Sequence, residues 1–261
     1  MAESAVTIIK LGGNILDDAP QRRAALENVA RVRGSRILVH GGGIAATALA
    51  ERLGIVPRMV EGRRITDDAM LEIVTMVYGG LVNRSVVAEL QSLGCNACGF
   101  TGADLDLIRA RRRTVEEIDY GHVGDIDAVN IPALLALFDQ GATPVLAPLT
   151  HDGAGGLLNT NADTIASAVA AALSTSMHVS LLYVFDRGGV QDRNGNTLPS
   201  INPSDATELI ANGIVSKGML PKLHNAFEAA GAGAARVILC GAADIIATAE
   251  GGQGRWTEVR L

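Results

Sequence analysis

Aromatic side chains are scarce in this chain: 3% of its 261 residues are Phe, Trp or Tyr, and one is Trp. Single-stranded nucleic acids are held on aromatic stacking platforms, and a net charge of −6 disfavours polyanions, so no nucleic-acid partner is expected. Cysteine is thin as well. Cys95, Cys98 and Cys240 fit a reducing compartment, and Cys95-Asn96-Ala97-Cys98 lacks the second pair or nearby histidines of a structural zinc site, so the pair is expected to be buried core thiols. No apolar run reaches the length that spans a bilayer, and Met1 to Ala5 is too short and polar for a signal peptide. The expected location is cytoplasmic, with no membrane partner.

Lysine is the sharpest shortage. Among 22 basic residues only Lys10, Lys217 and Lys222 are lysine, and the rest are arginine. An ammonium on a mobile stem follows a moving charge where a planar guanidinium fixes one geometry, so these three positions stand out as chemical rather than generic cations. The one basic cluster, Arg109-Ala110-Arg111-Arg112-Arg113, is interleaved with Asp104, Asp106, Glu116 and Glu117 and reads as a solvated hairpin.

What the chain does have is apolar residues, at 48%, and 30 glycines. That suits an α/β protein with a sizeable core, as one large domain or two closely joined lobes. Two glycine turns organise it. Lys10-Leu11-Gly12-Gly13-Asn14 and His40-Gly41-Gly42-Gly43 each close an apolar run and open a helical pattern. Glycines at such a junction admit an anion to backbone N–H groups, and the helix dipole favours the negative charge.

In chain order, Val6 to Leu11 and Arg36 to His40 read as strands, with helices over Arg22 to Arg33 and Ile44 to Leu53. Gly54 is the stop of the second helix. Two βα units in succession imply a parallel sheet. Val56 to Arg64 is irregular. Thr66 is the expected N-cap of a helix with the stripe Met70, Ile73, Val74 and Val77, which continues as one bent helix or two to Gly94 and offers a face for the core or for a second copy. A strand over Asn96 to Phe100 leads to hairpin strands at Leu107 to Arg109 and Ile118 to Asp125, over one edge of the sheet. His122 belongs to the hairpin surface. Thr143 to Pro148 is a buried strand followed by a polar loop, in which His151 and Asp152 lack a third ligand, so no metal site is expected.

Asn159, Asn161 and Asp163 then crowd the head of an alanine-rich helix, and capping accounts for only one of them. Ala171 to Met177 is a plausible lobe boundary, dividing residues 1–177 from 178–261. Beyond it come a strand at Val179 to Phe185, a glycine-rich turn at Asp186 to Gly195, a helix at Ser204 to Ala211, and Gly213 to Lys222 leading into a further helix. Arg236 to Cys240 is a strand, Ala242 to Ala249 a helix, and Trp256 to Val259 a terminal edge strand.

Five motifs in this order, Lys-Leu-Gly-Gly, His-Gly-Gly-Gly, Gly-Arg-Arg-Ile-Thr, Asn-x-Asn-Ala-Asp and Gly-Met-Leu-Pro-Lys, resemble the amino acid kinase family over nearly the whole chain. Neither glycine turn has the G-x-G-x-x-G spacing of a dinucleotide site. The resemblance implies a three-layer α/β/α sandwich around a mainly parallel sheet, in two lobes. The first lobe would bind the acyl amino acid and dimerise, and the second would bind ATP. The members most like this chain phosphorylate the side-chain carboxylate of N-acetyl-L-glutamate, the second step of arginine biosynthesis, with Mg²⁺ carried by the nucleotide.

By the same resemblance Lys10 and Lys222 flank the transferring phosphoryl group, Asp163 orients both ammonium groups, and backbone N–H groups of Gly13 and Gly43 meet its oxygens. Arg64 clamps the substrate α-carboxylate with Asn159 assisting, and Gly42 and Gly43 line the acylglutamate pocket. Gly12, Asp186, Gly189, Val190, Gln191, Ile214, Val215, Ser216 and Lys217 fall to the nucleotide. A carboxylate is already ionised at neutral pH, so the transfer needs no general base.

The chain also departs from the family pattern. Lys217 stands where many members have a small or acidic residue, and Asp186 to Gln191 matches the nucleotide turn only loosely. The first strand starts at once, and Glu250 to Arg255 fits the signature of arginine-inhibited members poorly; both imply no arginine feedback and a simple homodimer. Two other readings stay open: a kinase of another N-acylated acidic amino acid, such as N-succinyl-L-glutamate or an N-acyl-aminoadipate, and an inactive nucleotide-binding regulatory homologue.

Overall fold

A computed structural model describes residues 5–60, 62–186, 188–214 and 219–261 of the chain. β1 (Ala5–Leu11) leads to α1 (Gly13–Asp17) and α2 (Ala19–Arg31), and β2 (Ser35–His40) to α3 (Gly43–Arg52). A small hairpin, β3 (Met59–Val60) and β4 (Arg63–Arg64), precedes a continuous helix built of α4 (Asp68–Val74), a π-helical stretch (Thr75–Val82) and α5 (Asn83–Ser92). Then follow β5 (Ala97–Phe100), β6 (Ile108–Arg112), β7 (Gly124–Val129), α6 (Ile131–Asp139), β8 (Thr143–Leu146), β9 (Leu149–His151) and β10 (Leu157–Asn159). The last third holds α7 (Ala162–Leu173), β11 (His178–Phe185), β12 (Ser200–Ile201), α8 (Pro203–Ala211), α9 (Leu220–Gly231), β13 (Arg236–Gly241), α10 (Ile245–Ala249) and β14 (Thr257–Val259).

These elements form two compact units, Met1–Leu38 with Ala166–Leu261, and Val39–Ile165. The division falls inside β2 and α7, whereas the sequence suggests a boundary at Ala171 to Met177.

In the first unit the strand order is β12-β14-β13-β11-β1. β1 and β11 are parallel with Lys10 opposite Tyr183, and β11 and β13 are parallel with Phe185 opposite Gly241. Nearly every residue of these three strands is buried, as expected of parallel strands covered on both faces. Their carboxyl ends therefore lie side by side, the place where open α/β sheets bind ligands. The C-terminal strand is not an edge: β12 pairs parallel with β14 and lies outside it. Two residues are too few to show as a strand in sequence.

In the second unit β5 and β8 are parallel, and a separate sheet runs β10-β9-β6-β7. The hairpin expected over a sheet edge is thus part of its own sheet, and the polar loop after Pro148 contributes two of its strands. Each arginine of the basic cluster pairs with a carboxylate: Arg109 with Asp106 (2.6 Å), Arg112 with Asp119 (3.2 Å), Arg113 with Asp125 (2.8 Å), and Arg111 with Asp127. Cys95 is buried as expected, but Cys98 is partly exposed.

The helix Asp68–Ser92 is 25 residues long and apolar enough by composition to cross a membrane, which the sequence reading did not anticipate. One face packs into a core with Ala46, Ala50, Ala147 and Leu149, through Met70, Ile73, Val74, Val77 and Tyr78. Its N-cap is Asp67, whose carboxylate accepts from the Met70 N–H at 2.8 Å, and not Thr66, which is wholly buried.

Candidate active site

Taking the first unit from its strands upward, Lys10 is the penultimate residue of β1 and is buried. Lys222 lies in the first turn of α9. Their ammonium groups meet the same aromatic ring. Lys222 Nζ is 4.0 Å from the centroid of Phe185, and Lys10 Nζ is 6.0 Å from it. An aromatic face attracts cations within this range, so Phe185 draws two charges to the carboxyl ends of β1 and β11. The ring is itself fixed: Tyr183, two residues earlier on the same face of β11, stacks parallel to it at 6.4 Å. The Tyr183 hydroxyl is hydrogen-bonded to Ser167 Oγ at 2.6 Å, and Ser167 Oγ donates to the Asn225 carbonyl at 3.3 Å, which joins α7, β11 and α9.

Gly12 donates its N–H to the Val184 carbonyl at 3.2 Å, and a Cβ there would stand 3.4 Å from that oxygen. Gly13 opens α1. Of the turn after β11, Asp186, Gly188 and Gln191 line a cavity of about 1030 Å³ with Asp244, Gly254 and Trp256. Gly189 and Val190 turn the other way: the Val190 N–H donates to Thr257 Oγ1 at 2.8 Å, and a Cβ on Gly189 would lie 2.6 Å from the same oxygen. Ile214 is half-buried and closes α8 by donating to the Leu209 carbonyl. Val215, Ser216 and Lys217 lie outside the described residues.

The second unit gathers a different chemistry. Arg64, on β4, is buried, and its Nη2 donates to the Gly43 carbonyl (2.9 Å) and to Thr47 Oγ1 (2.8 Å). Its Nη1 is buried without a hydrogen-bond partner. A buried donor left unpaired is costly, and a guanidinium edge of this kind fits a carboxylate. Thr66 links the neighbours: its hydroxyl donates to the Arg64 carbonyl at 2.8 Å and accepts from Asn159 Nδ2 at 2.9 Å. Gly43, Arg64 and Asn159 are thus linked, the last through Thr66. At the head of α7, Asn161 is the capping residue, accepting from the Asp163 N–H at 2.7 Å.

Sequence reasoning missed His40 and Tyr78. Burial lowers the His40 pKa to about 4, so the ring is neutral. Its Nδ1–H donates to the Gly41 carbonyl at 2.7 Å, while Asn83 Nδ2 donates to Nε2 at 3.0 Å and to the Val145 carbonyl at 2.9 Å. His40 pins the glycine turn. Tyr78 presses on that turn from the long helix: a Cβ on Gly42 would lie 2.7 Å from its Cδ1.

The amino acid kinase family model matches residues 5–241. The chain belongs to the amino acid kinase family. It is 50% identical over 237 residues to the acetylglutamate kinase of Phocaeicola vulgatus, covering 90% of this chain and 92% of that one. It is 48% identical over 244 residues to the acetylglutamate kinase of Cytophaga hutchinsonii, covering 92% of each. Carbamate kinase from Giardia lamblia, at 14% identity, has the same fold, with a TM-score of 0.70 over all of both chains. As in that family the fold is α/β, and the enzymes of the family use ATP.

Proposed function

We propose that this amino acid kinase transfers the γ-phosphoryl group of ATP to the side-chain carboxylate of N-acetyl-L-glutamate, in arginine biosynthesis. A carboxylate oxygen forms a bond to the γ-phosphorus as the bond from that phosphorus to the β,γ-bridging oxygen breaks. The products are an acyl phosphate and ADP. Both reactants are anions, so catalysis rests on neutralising charge and holding the groups in line.

The observation that carries this reading is the pair of ammonium groups on Phe185, in a chain with only three lysines. Two fixed positive charges suit a phosphoryl group whose charge spreads over its oxygens in the transition state. The Arg64 guanidinium, with Asn159 nearby through Thr66, suits the substrate carboxylate that is not phosphorylated. The substrate itself is taken from the relatives named acetylglutamate kinase. Asp163 is assigned by family resemblance to orient the two ammonium groups, and Gly13 and Gly43 to offer N–H groups to phosphoryl oxygens. By family resemblance Mg²⁺ would be carried by the nucleotide phosphates, where it would offset their charge.

On this reading the unit holding Arg64 handles the acyl amino acid and the unit holding Phe185 handles ATP. The protein works in the cytoplasm as a homodimer. Met76 and Leu81, 52% and 63% exposed on the π-helical stretch, support a second copy packed on that helix.

A coupled assay of ADP release over glutamate, aspartate, N-acetylglutamate, N-succinylglutamate and N-acetylaminoadipate tests the reading. Turnover is expected with N-acetylglutamate and not with free glutamate. Turnover by Lys222→Ala or Asp163→Ala at the wild-type rate would overturn the assignment.

A further inference from the structure

The long helix does more for the glycine turn than cover it. Val77 and Tyr78 are buried, and the next residues of that helix to be fully buried are Asn83, Val86 and Leu90. Tyr78 and Asn83 are five residues apart, which places them on one face only because Thr75–Val82 is wound as a π-helix. In an α-helix the residues following Tyr78 on that face would be Leu81 and Val82, yet Leu81 points outward and is 63% exposed. The extra residue lets one helix hold the His-Gly-Gly-Gly turn twice: Asn83 fixes His40, and the Tyr78 ring lies against Gly42.

The second contact brings a polar atom with it. Tyr78 is 5% exposed, and burial raises its pKa, partly offset by the charge of the neighbouring Arg64 guanidinium and by a hydrogen bond from it to the phenol oxygen. The hydroxyl therefore stays protonated and is a hydrogen-bond donor. Arg64 presents a buried Nη1 without a protein partner in the same place. The Tyr78 oxygen accepts from the Arg64 guanidinium, which leaves the phenolic proton as a neutral donor beside the charged one.

We propose that Tyr78 is a substrate-binding residue whose hydroxyl donates to the same spectator carboxylate of the acyl amino acid that Arg64 binds. The π-helical stretch is the device that aims it. This rests on the function proposed above, because it supposes that Arg64 receives a substrate carboxylate. Residue 78 then sets how strongly the site prefers an acceptor with a free carboxylate at that position over one in which it is masked.

The test is Tyr78→Phe, which keeps the ring against Gly42 and removes only the hydroxyl. Its KM for N-acetylglutamate is expected to rise about tenfold, as for loss of a hydrogen bond to a charged group, with KM for ATP and the unfolding midpoint unchanged. N-acetylglutamate α-methyl ester, which has no carboxylate there, should show no such loss between wild type and variant. In the wild type, binding of N-acetylglutamate should also perturb the near-ultraviolet tyrosine absorption, and the variant should lack that change. Equal KM values for wild type and Tyr78→Phe, or an equal penalty on acid and ester, would overturn the role of Tyr78 and leave the kinase reading standing. A wild-type enzyme with no turnover on any N-acylglutamate would overturn both.

Discussion

Two side chains that do no chemistry set the conditions for those that do. His40 is buried and neutral, with a pKa of about 4 against an ordinary 6.5. Between these values the unfolded chain binds a proton that the folded chain refuses. Its contribution to stability is therefore complete above pH 6.5 and is lost as pH falls toward 4, by up to about 3 kcal/mol. Denaturant titrations from pH 7.5 to 4.5 should show this slope, and His40→Gln should flatten it. Phe185 works on the active cations. Replacing it with Leu removes the π face beneath Lys10 and Lys222, and kcat is expected to drop about tenfold with KM for the acyl amino acid little changed. An unaltered kcat would show that the ring only fills space. Gly42 has no room for a methyl group against Tyr78, so Gly42→Ala should lower stability by about 1–3 kcal/mol in urea unfolding.

Among the elements, what was legible in the sequence was what local pattern controls. Strands that are apolar throughout, the glycine turns and the stripe on α4 all lie close to where they were expected, because burial on both faces or one helical face writes itself into consecutive residues. Pairings between distant segments were not legible. β9 and β10 are three residues each, and β10 reads as the approach to α7, so nothing local marks them as a sheet with β6 and β7. Thr66 was mistaken for a cap because Thr and Asp are both good N-caps. The competing demand, a hydroxyl buried between Arg64 and Asn159, is visible only in three dimensions. Asp67→Ala should cost the helix about 1 kcal/mol, and Thr66→Val should disturb the site instead. Motif order named Gly43, Arg64 and Asn159, which hydrogen bonds link through Thr66. It did not name Tyr78, since the π winding that aims it leaves no periodic signature.

For the whole molecule, the lysine shortage proved the most informative feature of composition, because two of the three positions share one aromatic ring. The proposed homodimer belongs to this scale. Gel filtration should give a dimer, with Met76→Glu or Leu81→Glu shifting it toward a monomer; a hexamer would contradict it. The chemistry is tested most directly by trapping the product. With ATP, N-acetylglutamate and hydroxylamine, the enzyme is expected to form one γ-hydroxamate for each ADP released, and Lys10→Ala or Lys222→Ala to abolish both. ADP release without hydroxamate, or hydroxamate formation that survives loss of either lysine, would contradict phosphoryl transfer to the substrate carboxylate by this ammonium pair.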